Sequence, residues 1–304
     1  MRNHLDGVNS AMNSINGRCR ICSSSKVEAI GTKVGSLSRR EFEICRCYVC
    51  GYVWVSNPET DMTKLYGKDY YLGKGGDPLT NYLYEMEHPQ LTVRNYEWRG
   101  IVKIANTFIP GVSRLWLDYA CGNAGLVNYL NQNGLASAYG IEEGWIAGEA
   151  RQRGLPILTL RELDEYHGAF DIVTAIEVLE HTPSPLETLR LIRKMFKVGG
   201  LFFFTTGNLE PFTHDLLNWR YLIPELHVSL FEPKTMMLAL QRSGFRPIPS
   251  EWSDGWVDIV RFKILKNLGV KNMNLLEKIL PWNILTKLIS DRFGLSAYPI
   301  GVAV

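Results

Sequence analysis

The chain contains no long hydrophobic run and almost no net charge. No apolar stretch approaches the roughly 18 residues that a transmembrane helix needs, so no membrane-spanning helix is predicted. The 33 basic and 31 acidic residues leave a formal net charge of +2, which is too small to indicate nucleic-acid binding on charge alone. There is no internal repeat, and the low-complexity content is limited to the short run Ser23-Ser24-Ser25.

A secretory signal is also missing from the amino-terminal region. Residues 1–17 are polar and contain no apolar core, which predicts a cytoplasmic protein whose thiols stay reduced. The 304 residues are 46% hydrophobic, so the chain is long and apolar enough to bury one full core and still carry attached segments.

Five of the six cysteines precede residue 51, and four of them form two C-x-x-C pairs. Cys19 and Cys22 make the first pair, and Cys47 and Cys50 make the second. Four thiolates at this spacing can close a tetrahedral shell around zinc and leave no position open for catalysis. With strand-like residues between the pairs, we expect a structural zinc-ribbon-like module, with disulfide bonding as the alternative. Cys45 is a spare thiol.

Beyond residue 110, short apolar runs alternate with helical patterns. We expect strands near 114–120, 137–142, 155–159, 170–176 and 200–206, and helices near 124–133, 144–153 and 184–196. This alternation predicts parallel strands joined by helical crossovers, with ligands bound beyond the carboxyl ends of the strands. Gly199 and Gly200 are expected to end the last of these helices.

The segment from Leu115 to Gly125 is the most informative of these strand ends. A strand runs into Asp118, and a loop of small residues leads into a helix. Gly122 and Gly125 let the backbone bend and approach a ligand closely, and Glu142 after the next strand is placed to bind ribose hydroxyls. The loop alone is a weak signal, because it is not the complete G-x-G-x-x-G fingerprint.

The motifs that follow this loop, and the order in which they occur, make the signal stronger. The loop, then Gly140-Ile141-Glu142, then Phe170 to His181, and then Lys197 to Thr206 resemble a class I S-adenosylmethionine-dependent methyltransferase over about residues 111–250. The alternative is a Rossmann-like domain that binds another nucleotide. Glu142-Glu143 departs from the family's usual Asp followed by a small residue, although Glu still supplies a carboxylate.

The resemblance implies an α/β Rossmann-like sheet with helices on both faces, with S-adenosylmethionine as cofactor and S-adenosylhomocysteine as product. It also implies that a tyrosine-containing segment covers the cofactor. The implied cofactor-binding residues are Tyr71, Asp118, Ala120, Gly122, Asn123, Gly125, Glu142, Glu143 and Glu177.

The run Glu177-Val178-Leu179-Glu180-His181 carries the candidate chemistry. If the run is helical, both carboxylates and the imidazole share one face. Together with His227 they could then hold a catalytic divalent cation. The run is similar to the E-x-x-E-H run of metal-assisted O-methyltransferases. In a second interpretation His181 or His227 is a metal-free general base. In a third, Glu177 touches the cofactor, Glu180 is solvated and His181 only packs. Glu180, His181 and His227 are the candidate catalytic residues.

We therefore predict five segments. They are a zinc-ribbon-like module (1–57), a Tyr-rich helical connector and cofactor lid (58–110), the cofactor-binding domain (111–251), a helical substrate-side insertion (252–295) and a closing strand (296–304). The insertion is basic and apolar, which fits a lid that packs on the domain or a membrane-facing element.

The predicted function is O-methylation of a hydroxyl on a small molecule such as a sugar or a sugar-containing metabolite. The alternatives are an RNA methyltransferase that uses the ribbon as an RNA anchor, and a non-catalytic cofactor-binding partner subunit. Nucleic acid is not the expected partner, and the sequence leaves a homo-oligomer open.

Overall fold

A seven-stranded sheet forms the centre of the computed structural model, which describes residues 17–75, 78–274, 278–295 and 298–304. Residues 1–16, which supported the expected absence of a secretory signal, lie outside the described residues, as do Leu275 and Leu276 of the insertion. No helix among the described residues is long and apolar enough to cross a membrane.

The main sheet has five parallel strands and a two-stranded antiparallel edge. The strands in chain order are β4 (Leu115–Tyr119), β5 (Ser137–Ile141), β6 (Ile157–Leu158), β7 (Phe170–Ile176), β8 (Phe196–Thr205), β10 (Phe245–Ile248) and β11 (Ile300–Ala303). Their order across the sheet is β10-β11-β8-β7-β4-β5-β6. The inner strands are buried on both faces, which explains their continuous apolar runs.

Helices cover both faces of this sheet. In chain order they are α1 (Lys68–Tyr71), α2 (Tyr82–Glu87), α3 (Arg94–Phe108), α4 (Gly125–Gln132), α5 (Trp145–Gln152), α6 (Leu160–Leu163), α7 (Pro185–Lys194), α8 (Pro233–Arg242), α9 (Asp254–Asn267) and α10 (Trp282–Phe293). The Rossmann-like architecture predicted from the sequence is thereby confirmed, with the helical insertion before the last strand.

The boundary between α7 and β8 differs from the prediction. The helix ends at Lys194, so Gly199 and Gly200 do not end it. Phe196, predicted to be helical, begins β8 and pairs with Phe170. The register of this pair shifts beyond Phe170, and Gly199 has a φ of +81°. The glycines therefore allow an irregularity inside a strand.

The amino-terminal module is a small antiparallel sheet that includes a strand from the main domain. Strands β1 (Val27–Val34), β2 (Glu41–Cys47) and β3 (Val53–Val55) are followed in the sheet by β9 (Ser229–Leu230). Tyr52 is fully buried and packs on Phe231 with ring centroids 5.5 Å apart. The amino-terminal module and the main domain therefore share one hydrophobic core.

The two helices of the insertion pack differently. Helix α9 buries Trp256, Ile259 and Phe262 along α3. Helix α10 instead buries Trp282, Thr286 and Ser290, while its larger aliphatic side chains are exposed, as described below.

Candidate functional site

A large cavity of about 2020 Å³ opens at the carboxyl ends of the parallel strands. Typical pockets for one ligand occupy about 300–1,000 Å³, so this cavity has room for two. One half is lined by residues that follow β4 and β5 and by the tyrosine-rich segment. The other half is lined by residues 205–227 and by the insertion.

The loop from β4 to α4 has an unusual backbone. Ala120, Gly122 and Ala124 all adopt left-handed conformations, with φ values of +54°, +55° and +57°. Such conformations are costly for residues with a Cβ, and they persist where the surrounding structure requires them, often at ligand sites. The alternation turns the backbone sharply beneath the cavity, as the small residues predict.

Glu142 lies beside this loop. Its carboxylate accepts hydrogen bonds from the N–H groups of Gly122 (2.8 Å) and Glu143 (2.9 Å). Burial raises the pKa of the Glu142 carboxyl to about 6, although both N–H donors oppose this shift. A carboxylate held in this way is oriented to accept hydrogen bonds from a diol such as ribose.

Asp118 is buried at the end of β4, with 5% of its surface exposed. Its Oδ1 atom accepts a hydrogen bond of 2.7 Å from the Thr174 hydroxyl, and the Trp116 ring N–H donates to the same hydroxyl oxygen. Burial raises the pKa of the Asp118 carboxyl to about 7. The hydrogen bond from Thr174 lowers this pKa, but its effect is smaller than that of burial. The group is placed beside the cavity rather than out in solvent.

Asn123 connects the loop to the tyrosine-rich segment. Its Oδ1 accepts from the Gly125 N–H (3.1 Å) and its Nδ2 donates to the Tyr82 carbonyl (2.9 Å). The Tyr82 ring packs against Tyr71, whose own ring lies 6.1 Å from Trp145. The residues expected to cover a cofactor therefore contact the loop expected to hold it.

Glu177 does not lie on a helix, contrary to the helical interpretation of its run. It follows β7 with a φ of +55°, and only Leu179–His181 form a short 3₁₀ turn. Lys263 of α9 donates to Glu177 at 2.9 Å and lies 3.4 Å from Glu97. Burial would raise the pKa of the Glu177 carboxyl, but the Lys263 ammonium outweighs burial and holds the pKa at about 2.

Glu180 is fully buried and lies behind the cavity wall. Its oxygens face the Tyr221 hydroxyl and the Thr206 hydroxyl, the latter at 2.7 Å. Burial, followed by the charge of Glu177, raises the pKa of the Glu180 carboxyl to about 7. The Tyr221 hydroxyl, which donates to Glu180 Oε1, also lies 3.2 Å from an oxygen of Glu177, so it lies between the two carboxyl groups.

His181 and His227 line the cavity with ring centroids 4.9 Å apart. The Nδ1 atom of His181 lies 3.0 Å from the Leu226 carbonyl, and that of His227 contacts the Tyr221 carbonyl. A carbonyl only accepts, so the Nδ1 atom of His227 carries the proton and its neutral ring keeps a lone pair on Nε2. The Nδ1 atom of His181 also lies 2.9 Å from the Tyr66 hydroxyl, which can either donate or accept. Burial, then His181, lowers the pKa of His227 to about 4.

Among the described residues, two groups have the donor sets of metal sites. In the first, the sulfur atoms of Cys19, Cys22, Cys47 and Cys50 all lie within 4.8 Å of one another. The N–H groups of Ile21 and Cys22 donate to the sulfur of Cys19. These four thiols fit a tetrahedral zinc shell, and Cys45 lies outside it.

The second group consists of Glu180, His181 and His227, again within 4.8 Å. It contains three of the four residues predicted for a catalytic cation. Glu177 is not part of it because its carboxylate is turned toward Lys263.

The ribbon holds the segment that carries Tyr221 and His227. Glu225, between them, is 1% exposed, and its Oε1 accepts hydrogen bonds from the turn between β1 and β2. Tyr52 and Ser229 share a hydrogen bond of 2.6 Å, and the Val228 N–H donates to the Glu180 carbonyl. The zinc-ribbon-like module therefore contacts the segment that lines the second half of the cavity.

The structure brings all nine predicted cofactor-binding residues to the wall of the cavity. Trp256 and Arg94 also lie there. Sequence reasoning did not identify Lys263, Tyr221 or Glu225 as site residues. A tyrosine followed by a Glu-x-His triplet was visible in the sequence, but no local pattern marked Lys263 among the other lysines of the insertion.

The fold and this site define a class I S-adenosylmethionine-dependent methyltransferase with an amino-terminal zinc-ribbon-like module. The family model for the methyltransferase domain matches residues 94–250, and the chain belongs to that family.

Similar curated proteins include ubiquinone biosynthesis O-methyltransferases. The protein from Pseudomonas paraeruginosa is 33% identical over 109 residues, which cover 31% of this chain and 45% of the relative. The protein from Bordetella avium is 27% identical over 153 residues, covering 43% and 61%. The aligned regions span about half of these relatives.

Solved structures with a similar fold have low sequence identity. One belongs to the complex of the Haloferax volcanii Trm112 methyltransferase activator and a methyltransferase, with 15% identity, a TM-score of 0.47, and coverage of 69% of this chain and 92% of that one. Another is a methyltransferase from Archaeoglobus fulgidus, with 15% identity, a TM-score of 0.42, and coverage of 73% and 98%.

Proposed function

We propose that this protein transfers a methyl group from S-adenosylmethionine to a hydroxyl oxygen of a small molecule, with His181 and His227 managing the proton. The observation that carries the proposal is the pair of imidazoles held through Nδ1 at the cavity wall. The similar curated proteins are O-methyltransferases, which supports oxygen as the acceptor atom.

The residues around the loop fit the cofactor. When bound, S-adenosylmethionine supplies an activated methyl group on a sulfonium. Glu142 would accept hydrogen bonds from the ribose hydroxyls, and the backbone from Ala120 to Gly125 would lie against the methionine part. Glu177 stays ionised because of Lys263, and we propose that it faces the cofactor.

Proton removal falls to the imidazoles rather than to Glu180. The Glu180 carboxyl faces Tyr221 and Thr206 and lies outside the cavity lining, so it positions Tyr221. The low pKa of His227 keeps its ring neutral at physiological pH, and the Nε2 lone pair can then accept the acceptor's proton as the oxygen–methyl bond forms.

A sugar or sugar-containing metabolite is the proposed acceptor. The rings of Phe212 and Trp219 stack 4.7 Å apart at the cavity wall, and Tyr221 lies 5.0 Å from Trp219. Flat aromatic faces of this kind pack on the C–H faces of sugars, and Asn208 and Asn218 add polar groups nearby. Zinc in the four-cysteine site is proposed to be structural.

The test replaces each histidine separately by asparagine. The Nδ2 atom of Asn lies close to the position of His Nδ1, so it can still donate to the carbonyl, whereas the Nε2 base is lost. We expect kcat to fall roughly 100-fold or more in His181→Asn or His227→Asn, with the affinity for S-adenosylmethionine from calorimetry unchanged. Full turnover in both variants would eliminate this base assignment.

A catalytic cation at Glu180, His181 and His227 is the second interpretation that the geometry allows. Turnover is measured after EDTA treatment, with the zinc of the cysteine site confirmed to be retained. Activity that is lost with EDTA and restored by Mg²⁺ or Mn²⁺ would replace the base mechanism by a metal-assisted one. Cofactor binding without turnover on any pool of acceptors would instead favour the partner-subunit alternative.

A further inference from the structure

Helix α10 buries two small polar side chains and exposes two large aliphatic ones. Its buried positions are Trp282, Thr286 and Ser290, and the last two are only 0% and 2% exposed. Ile284 and Leu288, one helical turn apart, are 63% and 64% exposed. A helix that only packed on its own domain would place these residues the other way round.

The exposed residues continue toward the amino terminus of the helix. Ile279 is 80% exposed and Leu280 is 44% exposed, and we call these two residues with Ile284 and Leu288 the aliphatic patch. Isolated exposed apolar residues are ordinary, but a contiguous group of large ones indicates an interaction surface.

The surroundings of the aliphatic patch are basic. The stretch 266–292 contains five basic and two acidic residues and therefore carries +3, whereas the whole chain carries only +2. Lys271, Lys278, Lys287 and Arg292 are all exposed. The rest of the chain is close to neutral, so the positive charge is concentrated where the aliphatic side chains are.

We propose that the aliphatic patch and its lysines dock the protein on an anionic lipid bilayer. Aliphatic side chains ringed by lysines are typical of helices that lie in a membrane interface. Protein–protein contacts are instead enriched in Trp, Tyr and Arg and depleted in Lys. A second copy across a two-fold axis would bring these lysines against the same lysines, which disfavours a dimer.

The same helix also borders the cavity. Ile289 and Phe293, on the adjacent side of α10, line it together with Leu268, which is 72% exposed at the end of α9. A bilayer bound to the patch would therefore contact a wall of the proposed acceptor site. The docking itself needs no substrate, so it is tested independently of the proposed methyl transfer.

The experiment is flotation of the full-length protein with phosphatidylcholine vesicles that contain or lack phosphatidylglycerol. We expect binding to the anionic vesicles, weakened by salt. Ile284→Glu and Leu288→Glu should each reduce the partition coefficient about tenfold or more, and Lys278→Gln about fivefold. The matched controls are Val198→Glu, at a residue 87% exposed on β8, and Lys26→Gln on the ribbon, both expected to bind like the unchanged protein.

Three results would overturn the proposal. One is failure of the unchanged protein to float with anionic vesicles. Another is equal loss in Val198→Glu and Leu288→Glu, because the effect would then not belong to the patch. The third is evidence that something other than a bilayer binds the patch. Light scattering could show a dimer that is lost in Leu288→Glu, or binding assays could show RNA binding that depends on Lys278 but not on Ile284.

Discussion

The carboxylate of Glu225 accepts two hydrogen bonds from Ser38, one from its backbone N–H and one from its hydroxyl, both of 3.1 Å. The Leu37 N–H donates to the same oxygen. Glu225 lies in the segment between Tyr221 and His227, whereas Ser38 lies in the turn between β1 and β2 of the zinc-ribbon-like module. The relationship predicts that the module orients the candidate catalytic residues.

The first prediction concerns Glu225→Ala. Removal of the carboxylate leaves three hydrogen-bond donors of the turn without this acceptor and frees the segment that carries His227. We therefore expect kcat to fall by tenfold or more, while the affinity for S-adenosylmethionine stays constant. Glu225→Gln, which keeps an oxygen acceptor, should recover most of the activity. The destabilisation by Ala, measured by urea unfolding, should be about 1–3 kcal/mol. Equal activity in the Ala and Gln variants would refute the orienting role.

The second prediction compares two neighbouring thiols. Cys47 belongs to the four-cysteine group, and Cys45, two residues earlier, does not. Cys47→Ser should lower the zinc content measured by mass spectrometry and lower the melting temperature, because Cys47 also lies in the core shared with the main domain. Cys45→Ser should retain about one zinc per chain and melt like the unchanged protein. Zinc retained in Cys47→Ser would contradict the ligand assignment.

The third prediction concerns pH and Asp118. Burial raises its pKa to about 7 in the folded protein from an ordinary value of 3.8. Between these two pH values the folded state binds more protons than the unfolded state, so stability falls as pH rises. Asp118→Asn keeps an oxygen for Thr174 but has no such dependence. Without cofactor, the variant should gain stability over the unchanged protein by about 1–3 kcal/mol as pH rises from about 4 to about 8. If the stability difference between the two proteins does not change with pH across this range, burial does not raise the pKa of the Asp118 carboxyl.

The same substitution should weaken S-adenosylmethionine binding at neutral pH, because Asp118 lines the half of the cavity in which we propose that the cofactor binds. Substitutions at functional sites often raise the stability of the folded protein while they weaken ligand binding. Titration calorimetry of Asp118→Asn and of the unchanged protein measures this second effect.

Local patterns were sufficient for the fold and for half of the site. Strands that end in small or acidic residues predicted the loop at Asp118 to Gly125 and the carboxylate of Glu142, because these features depend on a few consecutive residues. The pairing of Lys263 with Glu177 joins residues 86 positions apart, and that of Ser38 with Glu225 joins residues 187 apart. Neither contact produces a local sequence pattern, because each depends on how separate elements pack in the folded protein. The helical interpretation of the Glu177 run was wrong because Glu177 adopts a left-handed backbone conformation at the end of β7.

The last prediction concerns Lys263, whose ammonium lies between Glu177 and Glu97. Lys263→Met would leave Glu177 without its ion pair and would leave Glu97, which is only 1% exposed, with Arg94 as its remaining cation. We expect a loss of about 1–3 kcal/mol in the free energy of unfolding, less than for a fully buried pair because solvent reaches part of Glu177. Lys287→Met, which removes an exposed ion pair with Asp291, is the matched control and should cost less than about 0.5 kcal/mol.

The pH dependence separates this ion pair from simple packing. The Glu177 carboxyl has its pKa lowered from 4.5 to about 2 in the folded protein, so the stabilisation is complete above 4.5 and is lost as pH falls toward about 2. The difference in stability between the unchanged protein and Lys263→Met should therefore shrink over this acidic window. Adding Glu177→Gln to Lys263→Met should recover part of the loss at neutral pH, because one unpaired charge is removed. A difference that is constant with pH, with no recovery in the double variant, would assign the effect to the packing of the lysine side chain on Phe262 rather than to its charge.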